Sequence, residues 1–239
     1  MTIEIVEKSG LRIHATKQNI DKKMGLPPPL DDRNQVIVVT GSMGSGKSTW
    51  VHSSLTCQKS DGRIFAGCFE KVIYCTPLEC WESEENHPMK GHIKSRLFHT
   101  FDVKTLTSII EIAEETKKSE GNTLLCIDDF GEELKNIETI KLLRKIIFKH
   151  RHFHITIILS ALAMKLIPKT IRSLVDVYII FRPKSQIDCE DYVTEIFALK
   201  NKEFQSIMDF VFDAPHNFLM YNARHHFFYK NFDKLSYTS

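Results

Sequence analysis

The chain has little that would mark an exported, membrane-spanning or globally basic protein. Its six cysteines, Cys57, Cys68, Cys75, Cys80, Cys126 and Cys189, include no Cys-x-x-Cys pair. Two of them fall in apolar, strand-like runs, where a reduced thiol behaves as a small hydrophobe. That usage argues against a disulfide framework and for a reducing, intracellular compartment. Residues 1–8 have neither the basic start nor the apolar core of a signal peptide, so export is not expected. The longest apolar stretch, residues 155–164, is far too short to span a bilayer, so no membrane partner is expected. The formal net charge is only +2, so any nucleic-acid contact has to come from a local basic surface. Internal repeats are absent.

What is present fits one sizeable core. With 239 residues, 42% hydrophobic and 26% charged, the expectation is a main domain over 31–239 preceded by an arm over 1–30. Alternation at Ile3, Ile5, Leu11 and Ile13 suggests a short β-ribbon, and Pro27, Pro28 and Pro29 suggest a stiff extended connector. From Val36 the pattern alternates. Strands are expected at 36–40, 71–75, 96–99, 123–127, 155–160 and 177–181, with helices over about 47–57, 103–119 and 132–150. Residues 79–92 read as an exposed loop. Strands written as continuous apolar runs between helices imply a mainly parallel α/β sheet covered on both faces.

Two motifs carry the chemistry. Gly41, Ser42, Met43, Gly44, Ser45, Gly46, Lys47, Ser48 and Thr49 follow an apolar strand and open a helix, the context that GxxxxGK[ST] requires for a phosphate-binding Walker A loop. Glycines at 41, 44 and 46 let consecutive N–H groups converge on the β-phosphate. Lys47 supplies positive charge to the β- and γ-phosphates, Ser48 a hydroxyl for Mg²⁺, and the helix its positive end. The second motif, 124–129, is an apolar strand ending in Asp128 and Asp129, a Walker B pattern. Asp128 is placed to hold Mg²⁺ through its water shell, and Asp129 to polarise the attacking water. The long interval from Lys47 to Asp128 contains the strand at 71–75, enough for an additional strand between the Walker A and Walker B strands. Together with the second acid, this favours a nucleotide hydrolase over a small-molecule kinase. There is no Arg-rich lid, and no guanine-reading Asn-Lys-x-Asp, which favours ATP.

The succession GSMGSGKST, LLCIDDF, KHRHFHITIILSA and LIPKTIRSLVDVYIIFRP resembles the viral genome-packaging ATPases of the FtsK/HerA superfamily, the poxvirus, giant-virus and virophage branch. The distinctive part is the later block, Arg151-His152 before a β-branched strand, then 168–172, then 176–181. The resemblance implies an oligomeric ring, a pentamer or hexamer, that threads double-stranded DNA into a preformed capsid. It places the ATP site at a subunit boundary and the motor in the host cytoplasm, a viral factory or the virion. It assigns Lys47, Ser48 and Thr49 to phosphate and magnesium, and Asp128 and Asp129 to magnesium and water. The chain departs from the family's polar sensor pair: it has Ser160-Ala161, which leaves Ser160 alone to bond water or the γ-phosphate. A ring also needs an arginine finger supplied in trans. Arg151, Arg172 and Arg182 are the candidates, and a surface or ion-paired role stays open for each.

On the helix expected over 132–150, Ile137, Ile140, Leu143 and Ile147 share an apolar face. Lys141, Lys145 and Lys149 form a neighbouring stripe that continues into His150, Arg151 and His152 and could track DNA phosphates. A solvated helix face is the plainer reading. His150, His152 and His154 are expected to alternate on a strand, without a cysteine or carboxylate at zinc spacing. Aromatics over 218–232 could stack on bases, or form a β-hairpin on the sheet edge. Three rivals remain. A phosphotransferase predicts acceptor-dependent turnover, a helicase-loader-like switch predicts tight ATP binding with slow hydrolysis, and a chromosome-pumping ATPase is disfavoured by the short chain.

Overall fold

A computed structural model describes residues 23–236 except 57–64, 66, 84, 86, 92–94, 132, 198 and 200. The expected ribbon around Ile3, Ile5, Leu11 and Ile13 lies outside the described residues. In chain order the elements are β1 (Val36–Thr40), α1 (Lys47–Thr56), β2 (Lys71–Cys75), α2 (Leu78–Ser83), β3 (Ser95–Phe98), α3 (Val103–Lys118), β4 (Thr123–Ile127), α4 (Ile137–Phe148), α5 (His150–Phe153), β5 (Ile155–Ala161), α6 (Lys169–Arg172), β6 (Val177–Phe181), α7 (Gln186–Tyr192), α8 (Asn201–Val211), β7 (Phe218–Asn222), β8 (Phe227–Lys230) and β9 (Asp233–Lys234).

They form one nine-stranded sheet in the order β3-β2-β4-β5-β1-β6-β7-β8-β9. The first six strands of that order are parallel and the last three antiparallel. The strand between the Walker A strand β1 and the Walker B strand β4 is β5, which follows Walker B in sequence. It pairs Val39 with Ser160 on one side and Ile127 with Leu159 on the other. The strand at 71–75, offered by the sequence for that place, lies on the far side of β4. The connection through α4 and α5 carries the chain from β4 into the gap beside β1.

Alternation along the buried strands divides the core in two. Val36, Val38, Leu125, Ile127, Ile157 and Leu159 pack against α3 and α4. Ile37, Val39, Tyr74, Cys126 and Ile158 pack against Trp50 and Val51 of α1. Helix α3 buries Leu106, Ile109 and Ala113; the Asp102 carboxylate accepts from Thr105 N at 2.8 Å at its start, and Lys117 and Lys118 complement the dipole at its end.

Several expectations are corrected. The helix predicted over 132–150 is three pieces: a 3₁₀ turn over Glu133–Lys135, then α4, then α5. Asn136 causes the first break, because its Oδ1 accepts from the N–H groups of Glu138 and Thr139, both at 3.1 Å, and so starts a new helix. His150 and His152 are therefore helical, and His154 ends α5 with φ +53°, so the three do not share a strand face. The predicted exposed loop over 79–92 contains α2 and a 3₁₀ turn over Pro88–Gly91, with His87 and Met89 buried. Pro27–Leu30 is a turn closed by Leu30 N to Pro27 O at 3.2 Å, not an extended connector. Met24, Leu26 and Leu30 are buried there in the α1-side core, and the Asp32 carboxylate gathers the N–H groups of Met24, Gly25 and Leu26. The C-terminal aromatics form the edge hairpin β7–β8. Tyr221 and Phe228 are buried against Phe197, with ring centroids 4.8 and 5.2 Å away, which removes them from base stacking.

Candidate active site

Parallel strands β1, β4 and β5 end at one edge of the sheet, and the loops leaving them bring the two motifs together. The Walker A loop hangs from β1, with Gly41 N donating to Ala161 O at 3.3 Å, and enters α1 through Trp50 N to Gly46 O at 2.8 Å. Its glycines are needed here. A Cβ on Gly41 would stand 2.6 Å from both Phe181 Cβ and Ser45 Oγ, and Gly44 and Gly46 have φ of +74° and +111°. Lys47 is buried and bonds the Ser42 carbonyl at 3.2 Å. Burial lowers its pKa, opposed by the charges of Asp129 and Asp128, which lie near enough to act on the ammonium.

Asp128 is buried and Asp129 exposed. Asp128 N donates to Cys75 O at 2.9 Å, and its Oδ2 accepts from the Tyr74 hydroxyl at 2.9 Å. Asp129 adopts the left-handed φ of +62°, an uncommon conformation for a residue with a Cβ, and its Oδ2 lies 3.9 Å from Cys80 Sγ. Ser160 sits on the α1 side of β5, the side of Cys126 and Tyr74. Its Oγ and that of Ser45 are buried without a hydrogen-bond partner among the described residues. Two orphaned hydroxyls, a glycine loop with no room for a Cβ at Gly41 and two carboxylates whose charges act on a lysine fit a nucleoside triphosphate and a divalent cation.

The three arginines part company. Arg182 is exposed and lines a cleft of about 600 Å³ with the loop residues Ser42, Gly44 and Ser45 and with Pro215 and His216. Arg172 is committed within its own subunit, to the Glu195 carboxylate and, through Nε, to Ile167 O at 2.6 Å. Lys169 joins the same carboxylate at 2.8 Å. Arg151 lies in α5, just before β5 begins, at the opposite edge of the sheet from the Walker A loop.

Five residues around the site went unnoticed in the sequence. His52, Tyr74 and His87 form an aromatic cluster with Trp81 beside Asp128, with ring centroids 4.5 Å (His52–His87), 4.6 Å (Tyr74–His87) and 4.6 Å (Trp81–His87) apart. His216 Nδ1 lies 3.2 Å from Ser45 O, behind the Walker A loop. The one readable signal was Tyr74, a hydroxyl near the end of an otherwise apolar strand.

Away from this edge, Lys117 and Lys118 of α3 meet Lys145 of α4, Lys149 at the junction of α4 and α5, and His152 of α5 around a groove of about 730 Å³ that also contains Glu114. Lys141, the third member of the stripe, is paired with Glu138 at 2.9 Å. Among the described residues no group of three or more His, Cys, Asp and Glu side chains could hold a metal ion, and no helix is long and apolar enough to cross a membrane.

No protein-family model matches the sequence, and no curated protein matches it. Solved structures do. The DNA-packaging ATPase B204 of Sulfolobus turreted icosahedral virus superposes with a TM-score of 0.65 at 14% identity, over 83% of this chain and 97% of that one. The genome-packaging NTPase B204 of Sulfolobus turreted icosahedral virus 2, in complex with ATP-γ-S, gives 0.62 at 17% identity, over 84% and 98%. ATPases 2 and 3 of EssC from Geobacillus thermodenitrificans give 0.54 at 16%, over 84% of this chain and 39% of that one. The chain therefore has the P-loop NTPase fold of the B204 packaging enzymes, matched from end to end of those proteins.

Proposed function

We propose that this chain is an ATP-hydrolysing motor that moves double-stranded viral DNA into a preformed capsid. The observation that carries the reading is the meeting of the Walker A loop, Asp128 and Asp129 at one sheet edge, in a fold whose similar structures include packaging ATPases. The loop N–H groups and Lys47 hold the β- and γ-phosphates, and Ser48 and Asp128 hold Mg²⁺. A bound magnesium ion supplies neutralisation of the charge that develops on the phosphoryl oxygens. Asp129 orients the attacking water and takes its proton as the oxygen bonds to the γ-phosphorus and the bond to the ADP oxygen breaks. Ser160 directs its hydroxyl at the water or the γ-phosphate.

The rest of the reading concerns assembly. A ring of five or six copies puts each ATP beside a neighbour that supplies an arginine; Arg151, remote from its own loop, is the better placed of the three for acting in trans. The segment 1–30 serves as an arm whose end, through Met24, Leu26 and Leu30, is packed into the core of the motor formed by 31–239. The lysine groove between α3 and α4 takes the DNA backbone without reading bases. The working place is the host cytoplasm or viral factory, against capsid proteins.

The test is steady-state ATP hydrolysis over a range of protein concentrations, with and without long double-stranded DNA, and Lys47→Ala as the blank. Turnover that rises with protein and with DNA is expected. Turnover indifferent to both but switched on by a small acceptor makes the protein a phosphotransferase, and stoichiometric ATP binding with negligible turnover makes it a switch.

A further inference from the structure

We propose that Tyr74 is a positioning residue for the divalent cation, acting through Asp128, and that His52 aims its hydroxyl. The inference rests on the reading of Ser48 and Asp128 as the cation's ligands and adds what holds those two ligands in relation to each other.

Tyr74 is fully buried near the end of β2, and its hydroxyl donates to Asp128 Oδ2 at 2.9 Å. Strand pairing fixes this approach, since Tyr74 stands opposite Cys126 and Asp128 N is bonded to Cys75 O at 2.9 Å. With its single proton given to the carboxylate, the phenol oxygen can only accept from His52 Nε2, 3.2 Å away. The imidazole therefore carries its proton on Nε2. The bond occupies Oδ2 and leaves Oδ1 without a hydrogen-bond partner among the described residues.

The position of His52 gives the arrangement its meaning. It lies four residues beyond Ser48 in α1, so the two share one stripe of the helix. The helix turn that presents the Ser48 hydroxyl also presents His52 to Tyr74. A closed circuit results: Ser48 and His52 through α1, His52 to Tyr74 to Asp128 through two hydrogen bonds. His87 packs edge-on against both His52 and Tyr74, which holds the two rings in place. Such outer partners set ligand orientation, and losing one typically weakens metal binding about 10–100-fold.

The experiment titrates Mg²⁺ against binding of a fluorescent, non-hydrolysable ATP analogue in the wild type, Tyr74→Phe, His52→Leu and His52→Gln, with Mn²⁺ electron paramagnetic resonance as a second readout. Analogue affinity in EDTA is expected to stay the same in all four. The Mg²⁺ concentration for half-maximal tightening should rise about tenfold or more in Tyr74→Phe, rise less in His52→Leu, and return towards the wild-type value in His52→Gln, whose amide can still donate. A folded Tyr74→Phe protein with unchanged Mg²⁺ and Mn²⁺ titrations overturns the inference. If Tyr74→Phe does not fold, the His52 pair decides, and equal titrations of His52→Leu and His52→Gln overturn it. A wild type that binds the analogue but is indifferent to Mg²⁺ sinks the ligand reading and this inference together, whereas a Mg²⁺-dependent wild type with indifferent variants sinks this inference alone.

Discussion

Asp128 and Asp129 are adjacent in the chain and differ in almost every physical respect. The first is buried and hydrogen-bonded by a phenol; the second is exposed in a left-handed conformation that turns it away from the strand's path. The first setting suits the proposed cation ligand and the second the proposed proton acceptor, which must accept water freely. Asp129→Asn is expected to keep ATP binding at wild-type strength while lowering turnover at least about 100-fold, the scale of a lost general base; a variant that still hydrolyses ATP removes Asp129 from that role. His87, beside Asp128, gives a pH signature. Burial, followed by repulsion from His52, depresses it to about 4, so the folded protein keeps it neutral while the unfolded chain protonates near 6.5. Its contribution is full above that value and is lost as pH falls from about 6.5 to about 4, by up to about 1.4 kcal/mol per pH unit. Denaturant unfolding of His87→Gln should show a flatter fall over that window than the wild type. The loop was legible because glycines at 41, 44 and 46, where a Cβ would clash or φ is positive, stand at the fixed spacing that precedes Lys47. Tyr74, His52 and His216 were not, because their contacts with the site join positions far apart in the chain.

Helix α4 shows how a single polar residue overrides a long apolar period. The spacing of Ile137, Ile140, Leu143 and Ile147 reads equally well as part of one helix from 132, yet Asn136 caps a new one, and Ile137 at its first position is 68% exposed. Asn136→Ala should cost about 1 kcal/mol of unfolding free energy, measured in urea, with nucleotide affinity unchanged. The core-lining strands were readable as apolar runs. Their order in the sheet was not, since the place between β1 and β4 is decided by which crossover can pack back on the sheet. The same holds for residues 79–92, polar in composition yet holding His87 and Met89 inside, because the aromatic cluster that covers them draws on α1 and β2.

At the scale of the whole molecule, a net charge of +2 hides a local concentration. Four lysines, from α3, α4 and the turn after α4, line one groove. Replacing Lys145 and Lys149 together by Gln should lower the slope of log affinity for DNA against log salt by about 2, read by fluorescence anisotropy at several salt concentrations, with DNA-independent ATP hydrolysis unchanged. An unaltered slope moves the DNA path elsewhere.

The sheet's closing strand, β9, has two residues, both exposed and of opposite charge, Asp233 and Lys234. So short and charged a border is a poor template for strand addition. Copies of this protein that associate there would not fuse their backbones into one continuous ladder; they would meet through helices and loops, whose side-chain contacts can break and re-form without tearing a sheet. In the proposed ring, neighbours joined in that way would be free to shift against one another with each nucleotide that comes and goes.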